Sequence, residues 1–147
     1  MLNRLRMNNG GYSGTPLPQK LGIKPGLTVV TINAPTNYRR LLGPIPGDVT
    51  FSGRLRPGSS FVLVFIKRRS ELERRLAILR EKVADTGTVW VCWPKRSSGV
   101  PTDVTEDIVR AVALPLGFVD VKVCAIDETW SGLKLMIRQE NRKRAVK

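Results

Sequence analysis

Three apolar runs constrain this chain more than any other feature: residues 27–32 (LTVVTI), 61–66 (FVLVFI) and 88–93 (TVWVCW). Each has the length of a strand, and each is apolar at odd and even positions alike. A strand with two apolar faces needs cover on both, which is how parallel strands sit between layers of helix.

Helix signals fall between these runs. Thr15 followed by Pro16 reads as a cap and a proline at the first helical position, with a short helix through Leu17 and Leu21 that stops at Gly22. A short helix is expected around residues 38–42, and a weak edge strand around 48–55. Ser70 and Glu73 have capping-box spacing ahead of an apolar stripe, Leu72, Leu76, Leu79 and Val83, with Gly87 as its end. Asp103 and Glu106 have the same spacing and open a helix through Ile108, Val109 and Val112 that Pro115 and Gly117 end. Strands at 119–126 and 133–137, separated by residues 127–132, read as an antiparallel hairpin. The expected fold is therefore α/β: one domain with a mostly parallel, Rossmann-like sheet, helices on both faces and a C-terminal antiparallel hairpin. The domain spans 15–138, after a flexible segment (1–14) and before a basic tail (139–147).

Composition narrows the chemistry. Histidine is absent and there are two cysteines, which excludes imidazole-based nucleophile systems, histidine metal sites and cysteine-rich zinc sites. No metal and no cofactor are assigned from these residues. No apolar run reaches the roughly 18 residues of a membrane span, and no apolar leader segment opens the chain, so a soluble, cytoplasmic protein is expected. The formal charge is +13, concentrated in the first 70 residues, where 11 basic side chains meet one acid, Asp48. That excess favours anionic partners.

In an open parallel sheet, ligands bind beyond the carboxyl ends of the strands. The candidate ligand site is accordingly Asn33 and Pro35 after the first strand, with Trp93, Lys95, Ser97 and Ser98 after the third apolar run. Asp127, Glu128, Trp130 and Ser131 at the hairpin join the same edge, and Asp103 lies nearby. Lys95 and the backbone donors around Ser97 and Ser98 would meet an anion between tryptophan walls. The same residues also have plainer roles: Asp103 and Glu106 as helix caps, Ser97 and Ser98 as a solvated loop, Trp93 as core. Lys95 beside Ser97 or Ser98 is no activated nucleophile, and Asp127 with Glu128 reads more readily as a turn than as an acid–base pair. Cys92 and Cys124 are expected as buried thiols in neighbouring strands.

Two resemblances bear on function. Residues 21–26 (LGIKPG) with the strand that follows resemble the start of the first strand of S-adenosylmethionine-dependent methyltransferases, and the closing order of strand, helix and hairpin is similar to the end of that fold. The resemblance implies an acidic residue near a strand end and a glycine-rich turn for the cofactor. Residues 31–37 (TINAPTN) contain no glycine and a proline, and no acid ends a second strand, so the expected cofactor site is degenerate. Over residues 11–138 the chain also resembles the bacterial family named domain of unknown function 3052. That resemblance rests on GYSGTPL (11–17), NAP (33–35), WPK (93–95), TDVTED (102–107), VKVCA (121–125) and DETWSGLKL (127–135). It implies a small cytoplasmic bacterial protein of Rossmann-like fold. The leading expectation is a non-catalytic binding or regulatory module that takes an anionic small molecule or a protein segment at the carboxyl edge. Behind it stand nucleic-acid binding through Lys67, Arg68, Arg69, Arg142, Lys143 and Arg144, and then a divergent S-adenosylmethionine-dependent methyltransferase.

Overall fold

The computed structural model describes residues 14–142, so the expected flexible segment (but for its last residue) and tail residues 143–147, with Lys143 and Arg144, lie outside the described residues. In chain order the elements are α1 (Leu17–Leu21), β1 (Thr28–Ile32), α2 (Tyr38–Leu42), β2 (Thr50–Ser52), β3 (Ser59–Phe65), α3 (Arg69–Lys82), β4 (Val83–Pro94), α4 (Glu106–Ala113), β5 (Phe118–Ala125) and β6 (Trp130–Ile137). One six-stranded sheet runs in the order β2-β1-β3-β4-β6-β5. The first four strands are parallel, while β6 is antiparallel to both β4 and β5. This is the expected α/β class, with a mostly parallel Rossmann-like sheet and a terminal hairpin.

Burial explains the layering. Residues 61–66 are all buried, and their side chains alternate between two cores. Val62, Val64 and Ile66 join Leu72, Leu76 and Leu79 of α3 and Val109 and Val112 of α4. Phe61, Leu63 and Phe65 face the other way, toward Leu21, Ile23 and Leu42. No polar or charged residue is buried among the described residues, so the sheet is held by apolar contact and backbone hydrogen bonds.

Trp90 compensates for the thin cover on the second face, where α1 and α2 have five residues each. Its indole is fully buried and donates a hydrogen bond from Nε1 to the carbonyl of Leu21 at 2.9 Å, which pins the end of α1 to the sheet. Gly132 makes room for it: a Cβ there would lie 3.1 Å from both the Trp90 ring and Ile126 Cδ1. On the first face, Arg110 ties α4 to β5 by donating to Asp120 at 2.8 Å while pairing with Glu106 at 2.7 Å. The hydrogen bond from Arg110 holds the Asp120 carboxyl below its ordinary range.

Several sequence expectations are corrected here. The helix expected to run on to Gly87 stops at Lys82; Val83 opens β4 and Gly87 lies within that strand. Ser70 does not cap α3, because the helix already begins at Arg69. Asp103 does not cap α4; Thr105 does, accepting from the Ile108 N–H at 3.2 Å. Finally, β6 separates β4 from β5, so Cys92 and Cys124 are not in neighbouring strands. Both face Gly132 in register from opposite sides, which puts their backbones about 10 Å apart, beyond disulfide reach.

Trp90→Phe is expected to lower stability by about 1–3 kcal/mol, because it leaves the Leu21 carbonyl without its indole donor. A lower urea midpoint with an unchanged denaturant slope would show it.

Candidate functional site

The strand order turns around between β1 and β3: from β1 the chain adds β2 on one side, then crosses to β3 on the other. Beyond the carboxyl ends of these two strands is the position where such sheets open a crevice. Asn33 follows β1 directly and takes a φ of 58°, the left-handed conformation that glycine adopts freely and asparagine tolerates best among the others. Its side chain reaches across to α3 and donates from Nδ2 to Glu71 Oε2, in the first turn of that helix, at 2.5 Å. Arg75 follows one turn later. Its Nε lies 3.8 Å from the same Glu71 oxygen, and this nitrogen is buried without a hydrogen-bond partner. The Pro35 carbonyl accepts from the Tyr38 N–H at 3.0 Å and closes the turn into α2.

The neighbouring loops are locked together. Asp103 Oδ1 accepts from the Arg69 backbone N–H at 2.7 Å, capping α3 from a segment 34 residues away in sequence. Thr102 Oγ1 donates to the Lys67 carbonyl at 2.7 Å. At the end of β4, the Lys95 N–H donates to the Thr129 carbonyl at 2.7 Å, and the Lys95 carbonyl accepts from Ser98 Oγ at 2.6 Å. Asp127 Oδ1 accepts from the N–H groups of Thr129 and Trp130 at 2.9 and 2.7 Å.

All the candidate ligand residues therefore lie at the carboxyl edge, but they divide in two. Asp103 and Asp127 are committed to backbone donors. Trp93 and Trp130 are buried, the latter edge-on to Phe65 at 5.0 Å between ring centroids. Ser98 is engaged in its own loop, and Ser131 pairs within β6. Asn33, Ser97 and Glu128 are exposed, while Pro35 and Lys95 are half-buried. The basic clusters also separate: Lys67, Arg68 and Arg69 lie at this edge, whereas Arg142 donates to the carbonyl of Ile137, at the opposite edge. Sequence reasoning missed Glu71 and Arg75. The available signal was the helix start after β3, which faces the β1 turn wherever the strand order reverses.

Two concavities lie on the α1 side of the sheet. An apolar slot lined by Leu21, Tyr38, Leu63, Phe65, Cys92 and Ile126 encloses about 10 Å³, room for about one water. A groove of about 440 Å³ runs between α1 and the Pro44 to Pro46 connector. Neither is lined by the candidate edge residues. Burial pushes both thiols up, Cys92 most, so neither is a ready nucleophile. No group of three or more metal-ligating His, Cys, Asp or Glu side chains occurs among the described residues, and no helix there is long and apolar enough to cross a membrane.

Neither a scan of protein families nor a search of curated proteins finds a match, so membership of domain of unknown function 3052 is without support. Solved structures do match. A candidate type 11 methyltransferase from Sulfolobus solfataricus superposes with a TM-score of 0.57 at 13% identity, covering 85% of this chain and 91% of that one. An S-adenosylmethionine-dependent methyltransferase from Aquifex aeolicus gives 0.59 at 14% identity, over 81% of this chain and 86% of that one. The chain has the methyltransferase-like Rossmann fold. That finding overturns the leading expectation of a non-catalytic binding module, which it does not fit as well as the methyltransferase alternative.

Asp103→Ala is expected to remove the remote cap of α3, costing about 1 kcal/mol. It should also speed amide hydrogen exchange in the first turn of α3 while leaving its last turn unchanged.

Proposed function

We propose that the protein is a divergent S-adenosylmethionine-dependent methyltransferase whose cofactor lies over the carboxyl ends of β1 and β3. The observation that carries this is the Asn33 turn. The sequence lacks the glycine-rich segment that the methyltransferase resemblance implies, yet Asn33 supplies the left-handed backbone that such a turn requires. Ala34 follows it, so the turn presents little side-chain bulk to a ligand.

The donor set fits the cofactor. S-adenosylmethionine offers an ammonium and ribose hydroxyls as donors and a carboxylate as acceptor. Glu71 is a carboxylate at the crevice that accepts from such donors, in place of the acid missing from the end of β2. Arg75 Nε lies 3.8 Å from the same Glu71 oxygen and helps to hold that carboxylate. Asn33 holds Glu71 in place by donating to its carboxylate. When bound, the cofactor supplies an electrophilic methyl group on a sulfonium. The chain's own residues then bind and orient it, and histidine takes no part because there is none.

Isothermal titration of S-adenosylmethionine and its demethylated product tests this directly. Glu71→Gln is expected to weaken binding about tenfold or more, the effect of losing a charge-assisted hydrogen bond. Asn33→Gly, which keeps the positive φ, should bind more tightly than Asn33→Val, which cannot adopt it without strain. Absence of binding by the unaltered protein at millimolar cofactor would overturn the reading.

A further inference from the structure

We propose that the outer edge of β5 takes an acidic, extended segment of a partner protein as a further strand of the sheet, with its carboxylates meeting Lys20, Lys122 and Lys134. This goes beyond the methyltransferase reading and does not depend on it.

The edge is open to backbone pairing. β5 is the last strand in the sheet order, with β6 on one side and no strand on the other among the described residues. At the hairpin the Ile126 N–H donates to the Trp130 carbonyl at 2.9 Å. Ladder bonds in an antiparallel pair alternate along each strand. Cys124 and Lys122 therefore turn their backbone groups toward β6, while Val123 and Ala125 turn theirs outward. A chain that pairs with these outward groups has to be extended, because a helix spends its own backbone groups internally.

Side chains then select the chemistry of that strand. Lys122 and Lys134 are directly opposite each other in register, a like-charged cross-strand pair that costs stability. Lys122 Nζ donates to the Lys20 carbonyl at 3.4 Å, which brings a third lysine beside them. None of the three has a carboxylate within ion-pair distance among the described residues. Asp120, the one acid of β5, pairs in register with the core residue Leu135 on the opposite face, and Arg110 holds it there at 2.8 Å. On that face Val123 is 46% exposed, opposite the buried Leu133 in register. Val121, the extra residue where the register shifts between Asp120 and Lys122, is 47% exposed. The edge thus fits carboxylates on one face of an incoming strand and apolar side chains on the other, as an alternating sequence supplies.

The lysines also argue against a second copy of this chain. Two β5 edges related by a two-fold axis would place both lysine sets on one face, between molecules that each carry a formal charge of +13. Lysine and a bulge on an edge strand discourage self-pairing of this kind, yet leave the outward groups of Val123 and Ala125 free for an acidic strand.

The test is fluorescence anisotropy of a labelled peptide of alternating valine and glutamate, titrated with the full chain. Binding is expected, and a peptide with lysine for glutamate should not bind. K122E should lower affinity for the glutamate peptide about tenfold and raise it for the lysine peptide. A125P removes one outward N–H and leaves the β6 ladder intact, so it should lower affinity about tenfold as well. R74E, on the exposed surface of α3, is the charge-matched control and should change binding far less. Absence of binding by the glutamate peptide, or loss as large in R74E as in K122E, would overturn the inference. So would equal affinity for a peptide with its valines and glutamates grouped in two blocks, which keeps the charge and loses the two-faced strand. A dimer of the free chain in sedimentation that A125P dissolves would give the edge to a second copy instead. Thermal melts of each variant check that the fold is retained. Should A125P fail to fold, the charge swap at Lys122 and the block peptide still decide the matter.

Discussion

Six consecutive buried residues, Phe61 to Ile66, impose the condition that the rest of the molecule satisfies. A strand apolar on both faces and flanked by β1 and β4 exposes nothing to water, so each face must be covered by another element. The two covers are unequal. α3 and α4 close one face with 14 and 8 residues of helix. The other face relies on the five-residue α1 and α2, a proline-rich connector and the bulk of Trp90. Its hydrogen bond to Leu21 and the missing side chain at Gly132 therefore matter to the whole second layer.

With both faces closed, the carboxyl edge is where chemistry-bearing groups remain accessible. Its loops are held by hydrogen bonds that reach across the sequence, from Asp103 to the start of α3 and from Lys95 to Thr129. These bonds remove most of the acidic side chains from contact with a ligand. What is left at the edge is the exposed Asn33 with the half-buried Glu71 that accepts from it, and the exposed cations Lys67, Arg68 and Arg96. A rigid edge of this kind can orient a reacting pair without any catalytic imidazole.

The strands and the two-sided cover were legible in the sequence because continuous apolar runs have one good solution. The hairpin was legible too, but not the placement of β6 between β4 and β5. That order depends on pairing across the sheet, which buries Leu133, Leu135 and Ile137 of β6 and leaves Val121 and Val123 of β5 exposed at the edge. Val83 and Gly87 misled because a helical stripe can continue in register into a strand, while the end of α3 is decided by pairing between Ser59 and Val83. The cap from Asp103 was invisible to local spacing, since its partner is 34 residues away. The absence of glycine after β1 implies, from sequence alone, a degenerate cofactor turn. The backbone shows that Asn33 takes the conformation glycine would have taken. Glu71 was overlooked because spacing drew attention to Glu73, which pairs with Arg69 on the helix surface instead.

The proposed position of the cofactor over β1 and β3 can be probed by ultraviolet crosslinking of methyl-labelled S-adenosylmethionine to the full chain, followed by peptide mapping. Label is expected within residues 33–38 or 67–75, displaced by excess unlabelled demethylated product. Label confined to other peptides, or label that the competitor does not displace, would contradict it.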